Sequence, residues 1–195
     1  MNFPLTLSFK ILALASQIHV QDGAGATVAY VKQKLLKLRE DIDVFADKEQ
    51  TRLQYNIKAD RVIDFSARYN ITRAEGGAVG SLKRKGMRSL WRANYEIFNG
   101  AGEHVMTINE ENVWVRVWDS VFGELPFIGI LSGYLFHPAY RVTNAQGELV
   151  ARLVKQPAFF EGKFQLDSGP ALTADAEPLV LLSLLTMTLL ERSRG

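Results

Sequence analysis

Apolar and polar residues alternate along most of this chain, and four times the alternation enters a glycine-containing turn and resumes beyond it. Ile18 and Val20 lead through Asp22-Gly23-Ala24-Gly25 to Val28 and Tyr30. Tyr69 and Ile71 lead through Gly76-Gly77 to Val79 and Leu82. Tyr95 and Ile97 lead through Asn99-Gly100-Ala101-Gly102 to Val105 and Ile108, and Tyr140 and Val142 through Asn144-Ala145-Gln146-Gly147 to Leu149 and Leu153. Alternation at period two places one set of side chains on each face of a strand, and Gly, Asn and Asp supply the positive φ of tight turns. The pattern predicts four β-hairpins with one apolar face, with Asn70, Arg92, Asn94, Glu96 and Arg141 turned outward. Further strands are expected at Gln54–Ala59, Val62–Ser66, Val113–Trp118 and Phe159–Leu166. Phe3, Leu5, Leu7 and Phe9 also alternate, and no Lys or Arg precedes them, so this stretch reads as a strand rather than a secretory leader.

Two segments break the rule. Val121–Phe136 is apolar with Gly123, Pro126, Gly129 and Gly133, and reads as a bent loop or short helical turns. Its Phe122, Phe127, Tyr134 and Phe136 suit either a membrane interface or packing over one end of the sheet. The other segment, Leu179–Leu190, is apolar on every side. Ser183, Thr186 and Thr188 do not share a stripe at 100° per residue, Asp175 and Glu177 precede the run, and Arg192 and Arg194 follow it. That charge order suits a helix dipole. A helix apolar all round belongs in a membrane or inside protein. Twelve residues span about 18 Å, against about 30 Å of bilayer core. Enclosing the nine large apolar side chains contributes on the order of 15–25 kcal/mol before entropy, an upper bound. The expectation is a mainly β fold: a closed antiparallel β-barrel of hairpins enclosing a hydrophobic C-terminal helix. Closure also removes the exposed edges that so many strands would present.

Composition narrows this picture only modestly. With 195 residues, 47% hydrophobic and 23% charged, the chain fits one globular domain over 1–195. It contains no cysteine, which removes disulfides, thiol catalysis and Cys-ligated zinc, and is compatible with a cytoplasmic setting. The net charge of +2 argues against nucleic acid as a partner, so any anion site must come from local clustering.

The runs Leu5–Lys34, Ile57–Ala67, Gly80–Phe98 and Lys155-Gln156-Pro157-Ala158-Phe159-Phe160-Glu161-Gly162 resemble a bacterial member of the LURP-one-related family. The similarity covers nearly the whole chain as a pattern of hairpins and helix. That family is grouped with tubby C-terminal domains and phospholipid scramblases, which implies a tubby-like barrel around a central helix. Tubby domains bind phosphoinositides through basic residues on the barrel surface, and the resemblance implies a similar partner here: an anionic lipid at a membrane surface. None of tubby's individual binding residues can be matched onto this chain.

The candidate anion-binding residues are therefore the chain's own basic clusters. Lys32, Lys34, Lys37 and Arg39 follow the first hairpin; Lys83, Arg84, Lys85, Arg88 and Arg92 follow the second. If neighbouring hairpins align, these make one cationic groove beside Trp91 and Tyr30, suited to phosphate through charge-assisted hydrogen bonds. The other reading is that they are solvated charges that discourage edge pairing. No catalytic motif occurs. His19, His104 and His137 lack metal-site spacing, no GxSxG or GK[ST] loop is present, and Glu110-Glu111 and Asp119/Glu124 read as solvated carboxylates. No cofactor or metal is expected. The expected function is a non-enzymatic, peripheral binding module. The alternatives are a scramblase-like membrane protein with the C-terminal segment inserted, and an enzyme or small apolar-ligand carrier.

Overall fold

The structure is a computed structural model that describes residues 1–10, 17–33, 41–61, 67–85, 94–111, 138–157 and 161–192. Among the described residues twelve strands form one closed barrel. They are β1 (Leu5–Lys10), β2 (Gln17–Gln21), β3 (Thr27–Gln33), β4 (Asp41–Phe45), β5 (Leu53–Ala59) and β6 (Arg68–Arg73), followed by β7 (Ala78–Arg84), β8 (Asn94–Asn99), β9 (His104–Glu110), β10 (Ala139–Asn144), β11 (Leu149–Gln156) and β12 (Glu161–Ser168). Each strand pairs antiparallel with the next in sequence, and β1 closes the ring against β12, from Leu5 opposite Leu166 to Lys10 opposite Glu161. The four expected hairpins are β2–β3, β6–β7, β8–β9 and β10–β11. A fifth, β4–β5, stands between the first two. The strand expected over Phe159–Leu166 is β12, described from Glu161 onward; Phe159 and Phe160 lie outside the described residues. The strands expected at Val62–Ser66 and Val113–Trp118 lie outside the described residues, as does the segment 121–136.

Helix α1 (Glu177–Arg192) fills the barrel, and every residue from Leu179 to Leu190 is buried. Inward residues from all around the sheet pack with it, among them Leu7, Val31, Val44, Ile57, Ile97, Ile108, Val142 and Leu153. The helix handles its own polar groups. Thr186 and Thr188 each donate to the carbonyl four residues back, Leu182 O and Leu184 O, at 2.7 Å. Among the described residues Ser183 Oγ has no hydrogen-bond partner. The N-terminal turn of α1 comes very close to β7: a Cβ at Gly80 would stand 2.7 Å from Leu179 Cδ1 and closer still to the Phe98 carbonyl oxygen.

The up-and-down order gives the barrel two unlike ends. At the turn end, where α1 begins, lie the five hairpin turns. Three share one construction: the first residue, Asp22, Asn99 or Asn144, accepts with its Oδ1 from the backbone N–H two and four residues on, at 2.9–3.1 Å. The fourth residue is a glycine at φ +82° to +85°, a conformation costly for a side chain bearing a Cβ. At the far end α1 finishes, and from the strand ends there the chain continues into residues 11–16, 34–40, 62–66, 86–93, 112–137 and 158–160.

Candidate functional site

Alternation on β7 decides the fate of the second basic cluster. Leu82 points into the core, so Arg84, two residues on, points inward as well. It is 9% exposed, and its Nη1 lies 3.8 Å from Glu191 Oε1 in the last turn of α1. Tyr95 Oη also donates to Glu191 Oε1. Burial, then Glu191, pushes the Tyr95 hydroxyl well above the usual tyrosine range. Burial, then Glu110 and Glu191, does the same to Tyr140. Arg192 lies over the Phe9 ring at 5.1 Å from its centroid. Arg84 is thus part of a polar layer that ties the helix C-terminus to the wall, and its place among surface anion-binding residues is corrected accordingly.

Lys83 and Lys85 keep the outward direction. Lys83 is half-buried, and Lys85 is exposed with its Nζ 3.7 Å from Glu96 Oε1. Lys32 is exposed near the far end of β3. Lys34, Lys37, Arg39, Arg88 and Arg92 lie outside the described residues, as does Trp91. The two clusters do not follow neighbouring hairpins. β4, β5 and β6 stand between β3 and β7, which sets those strands about 19 Å apart along the sheet at about 4.8 Å per strand. Both strands nevertheless finish at the far end.

That end is where exposed positive charge gathers. Lys10, Lys32, Lys58, Arg61, Lys85, Lys155, Lys163 and Arg192 are all exposed there. Among the described side chains at that end the exposed carboxylate is Asp60, bound to Arg61 at 3.2 Å. The turn end carries the opposite sign, with exposed Glu49, Glu75, Glu103, Glu148 and Asp175 against Lys48, Arg52 and Arg73. Among the described side chains, exposed charge is therefore polarised along the barrel axis behind a net charge of +2. In the sequence this is invisible until the alternating up-and-down direction of the strands sorts each charge to one end.

Other candidate chemistry resolves into structural roles. Glu110 lies opposite the inward Tyr140, whereas Glu111 accepts from Arg152 Nε and Nη2 at 2.7 and 2.9 Å, so the two carboxylates do not converge. His19 and His104 each meet a threonine hydroxyl on the outer face, Thr27 at 2.9 Å and Thr107 at 3.1 Å. His137, Asp119 and Glu124 lie outside the described residues. Among the described residues no group of His, Asp and Glu could hold a metal ion, and no helix is long and apolar enough to cross a membrane. The C-terminal segment is enclosed by the barrel and is not offered to a bilayer.

A family model described as LURP-one-related matches residues 27–184. No curated protein matches the sequence.

Proposed function

The chain belongs to the LURP-one-related family, and from that premise we propose that it is a non-enzymatic module that binds anionic phospholipid head groups at a membrane surface with the far end of its barrel. The observation that carries this reading is the gathering of exposed lysines and arginines at one end while the acidic turns occupy the other. Such an axial charge separation orients the molecule as well as attracting it: the acidic end is repelled by the surface to which the basic end is drawn. The resemblance to tubby-like barrels supports the same ligand class. A scramblase-like reading that inserts the C-terminal segment draws no support from a helix already enclosed on every side.

The test is co-sedimentation with phosphatidylcholine vesicles, with and without phosphatidylserine. Binding is expected only with the anionic lipid and falls as salt rises, since exposed charges are screened within about 10 Å at 0.1 M ionic strength. Lys85→Glu/Lys155→Glu/Lys163→Glu is expected to abolish it, whereas Glu75→Lys/Glu148→Lys at the turn end leaves it intact. Equal binding to neutral vesicles would overturn the reading.

A further inference from the structure

On the outer face of β1–β3 the strand register sets Lys10 opposite Gln17 and Gln17 opposite Lys32. Two strand spacings put the lysine backbones about 10 Å apart, close enough for their long side chains to converge. Two residues along, His19 lies opposite Ser8 on one side and Tyr30 on the other. Tyr30 Oη donates to Gln17 Oε1 at 2.8 Å, which holds the amide between the two lysines.

A third cation arrives from an unexpected direction. β4 is short and stops at Phe45, level with Tyr30, so the turn that follows lies beside β3 rather than beyond it. That turn returns across the outer face, where Lys32 Nζ donates to Gln50 Oε1 at 3.3 Å. Asp47 holds its shape by accepting from the Thr51 and Arg52 N–H groups at 2.9 and 3.0 Å. Gln50 adopts φ 61°, a left-handed conformation that costs roughly 1–2 kcal/mol outside glycine. The turn carries Lys48, whose charge acts on His19.

Asp43, opposite Lys32, accepts from Asn56 Nδ2 at 2.8 Å. Among the described residues none of the three lysines is in an ion pair. Burial, then Lys48 and Lys10, holds the His19 imidazole below the usual histidine range. Cations gathered with no ion pair among the described residues form a site that an anion can complete.

We propose that the outer face of β1–β3, beneath the β4–β5 turn, is a binding site in which Lys10, Lys32, Lys48 and His19 receive a phosphate-bearing group. The proposal deepens the membrane reading and rests on it only for the source of the phosphate, a lipid head group rather than a free phosphate ester. A bound phosphate offsets the Lys48 and Lys10 charges that, after burial, lower the His19 pKa. Binding therefore takes up a proton and tightens as pH falls through the histidine range.

The experiment follows the His19 imidazole resonances of the full chain during titration with inositol trisphosphate. The expected result is a saturable shift with the His19 titration midpoint moved upward. Lys10→Gln and Lys48→Gln should each weaken binding about tenfold, the size of one charge-assisted hydrogen bond, while Arg73→Gln, at the turn end of β6, leaves it unchanged. Phosphatidylcholine vesicles carrying phosphatidylinositol bisphosphate form the second arm. Displacement of the protein from them by inositol trisphosphate assigns the site to a lipid. A His19 shift without vesicle binding keeps the site, assigns it to a soluble phosphate ester and removes the membrane reading. His19 resonances that stay put while vesicle binding persists overturn the site and leave the membrane reading standing.

Discussion

The turn end and the far end of this barrel are made of the same twelve strands, yet they are built on opposite terms. The turn end satisfies itself: Asp22, Asn99 and Asn144 fold their own hairpins with side-chain acceptors, and α1 starts against Gly80 with no space for one added carbon. The far end leaves longer connections, exposed cations and a polar layer around Glu191. Local hydrogen bonding of the turns fixes the scaffold, while exposed cations gather where the scaffold opens. Outside the β4–β5 turn, which carries Lys48, changes at the first end should therefore be read in stability, and changes at the second in binding.

The most severe way to break the contrast is to attack what both ends share. Leu185→Asp places a carboxylate at a fully buried point of α1. The expected outcome is loss of the fold, a cost of about 5 kcal/mol or more. Circular dichroism and soluble yield check it, and a folded, normally stable variant would discard the enclosed-helix architecture. Gly80→Ala comes next. Its Cβ meets both Leu179 and the Phe98 carbonyl, so about 1–3 kcal/mol should be lost in urea unfolding. Vesicle binding of the protein that remains folded should be unaltered, and a selective loss of binding would erase the division between the ends.

Gly102→Ala, at φ +85° with open space around it, isolates backbone strain from packing. About 1–2 kcal/mol is expected, against no measurable change in melting for Lys155→Glu/Lys163→Glu at the far end. Equal melting temperatures for the two variants would blur the contrast. Smallest of all is Ser183→Ala. Its hydroxyl is buried without a partner among the described residues, so removal is expected to leave stability unchanged or raise it by up to about 1 kcal/mol. A clear loss would mean that this hydroxyl has a partner.

Much of the scaffold was legible in the chain because it is written locally. Gly25, Gly102 and Gly147 mark turns whose geometry only a few neighbouring residues decide, and the absence of a polar stripe among Ser183, Thr186 and Thr188 already said that α1 is surrounded. The β4–β5 hairpin escaped notice because its turn has no glycine; Gln50 takes the left-handed position instead. Arg84 illustrates a signal present but overlooked. Read as a basic run, Lys83-Arg84-Lys85 belongs on the surface, but Leu82 fixes the parity that turns Arg84 inward. Lys10 and Lys48 carried no such signal. One sits beside β2 and the other on a returning turn, and only the assembled sheet, with its short β4, brings both to His19.

The element that fills the barrel leaves the ribosome after the twelve strands that surround it. α1 follows every strand in the chain, roughly 170 residues behind β1, which at 5–20 residues per second is a delay of about 10–35 s. During that interval the strands can pair with their sequence neighbours, one hairpin after another, but have nothing to close upon. The nascent sheet must hold its apolar face open, with β1 and β12 as bare edges, until the helix arrives. A ribosome paused before residue 177 would therefore display the protein at its most adhesive.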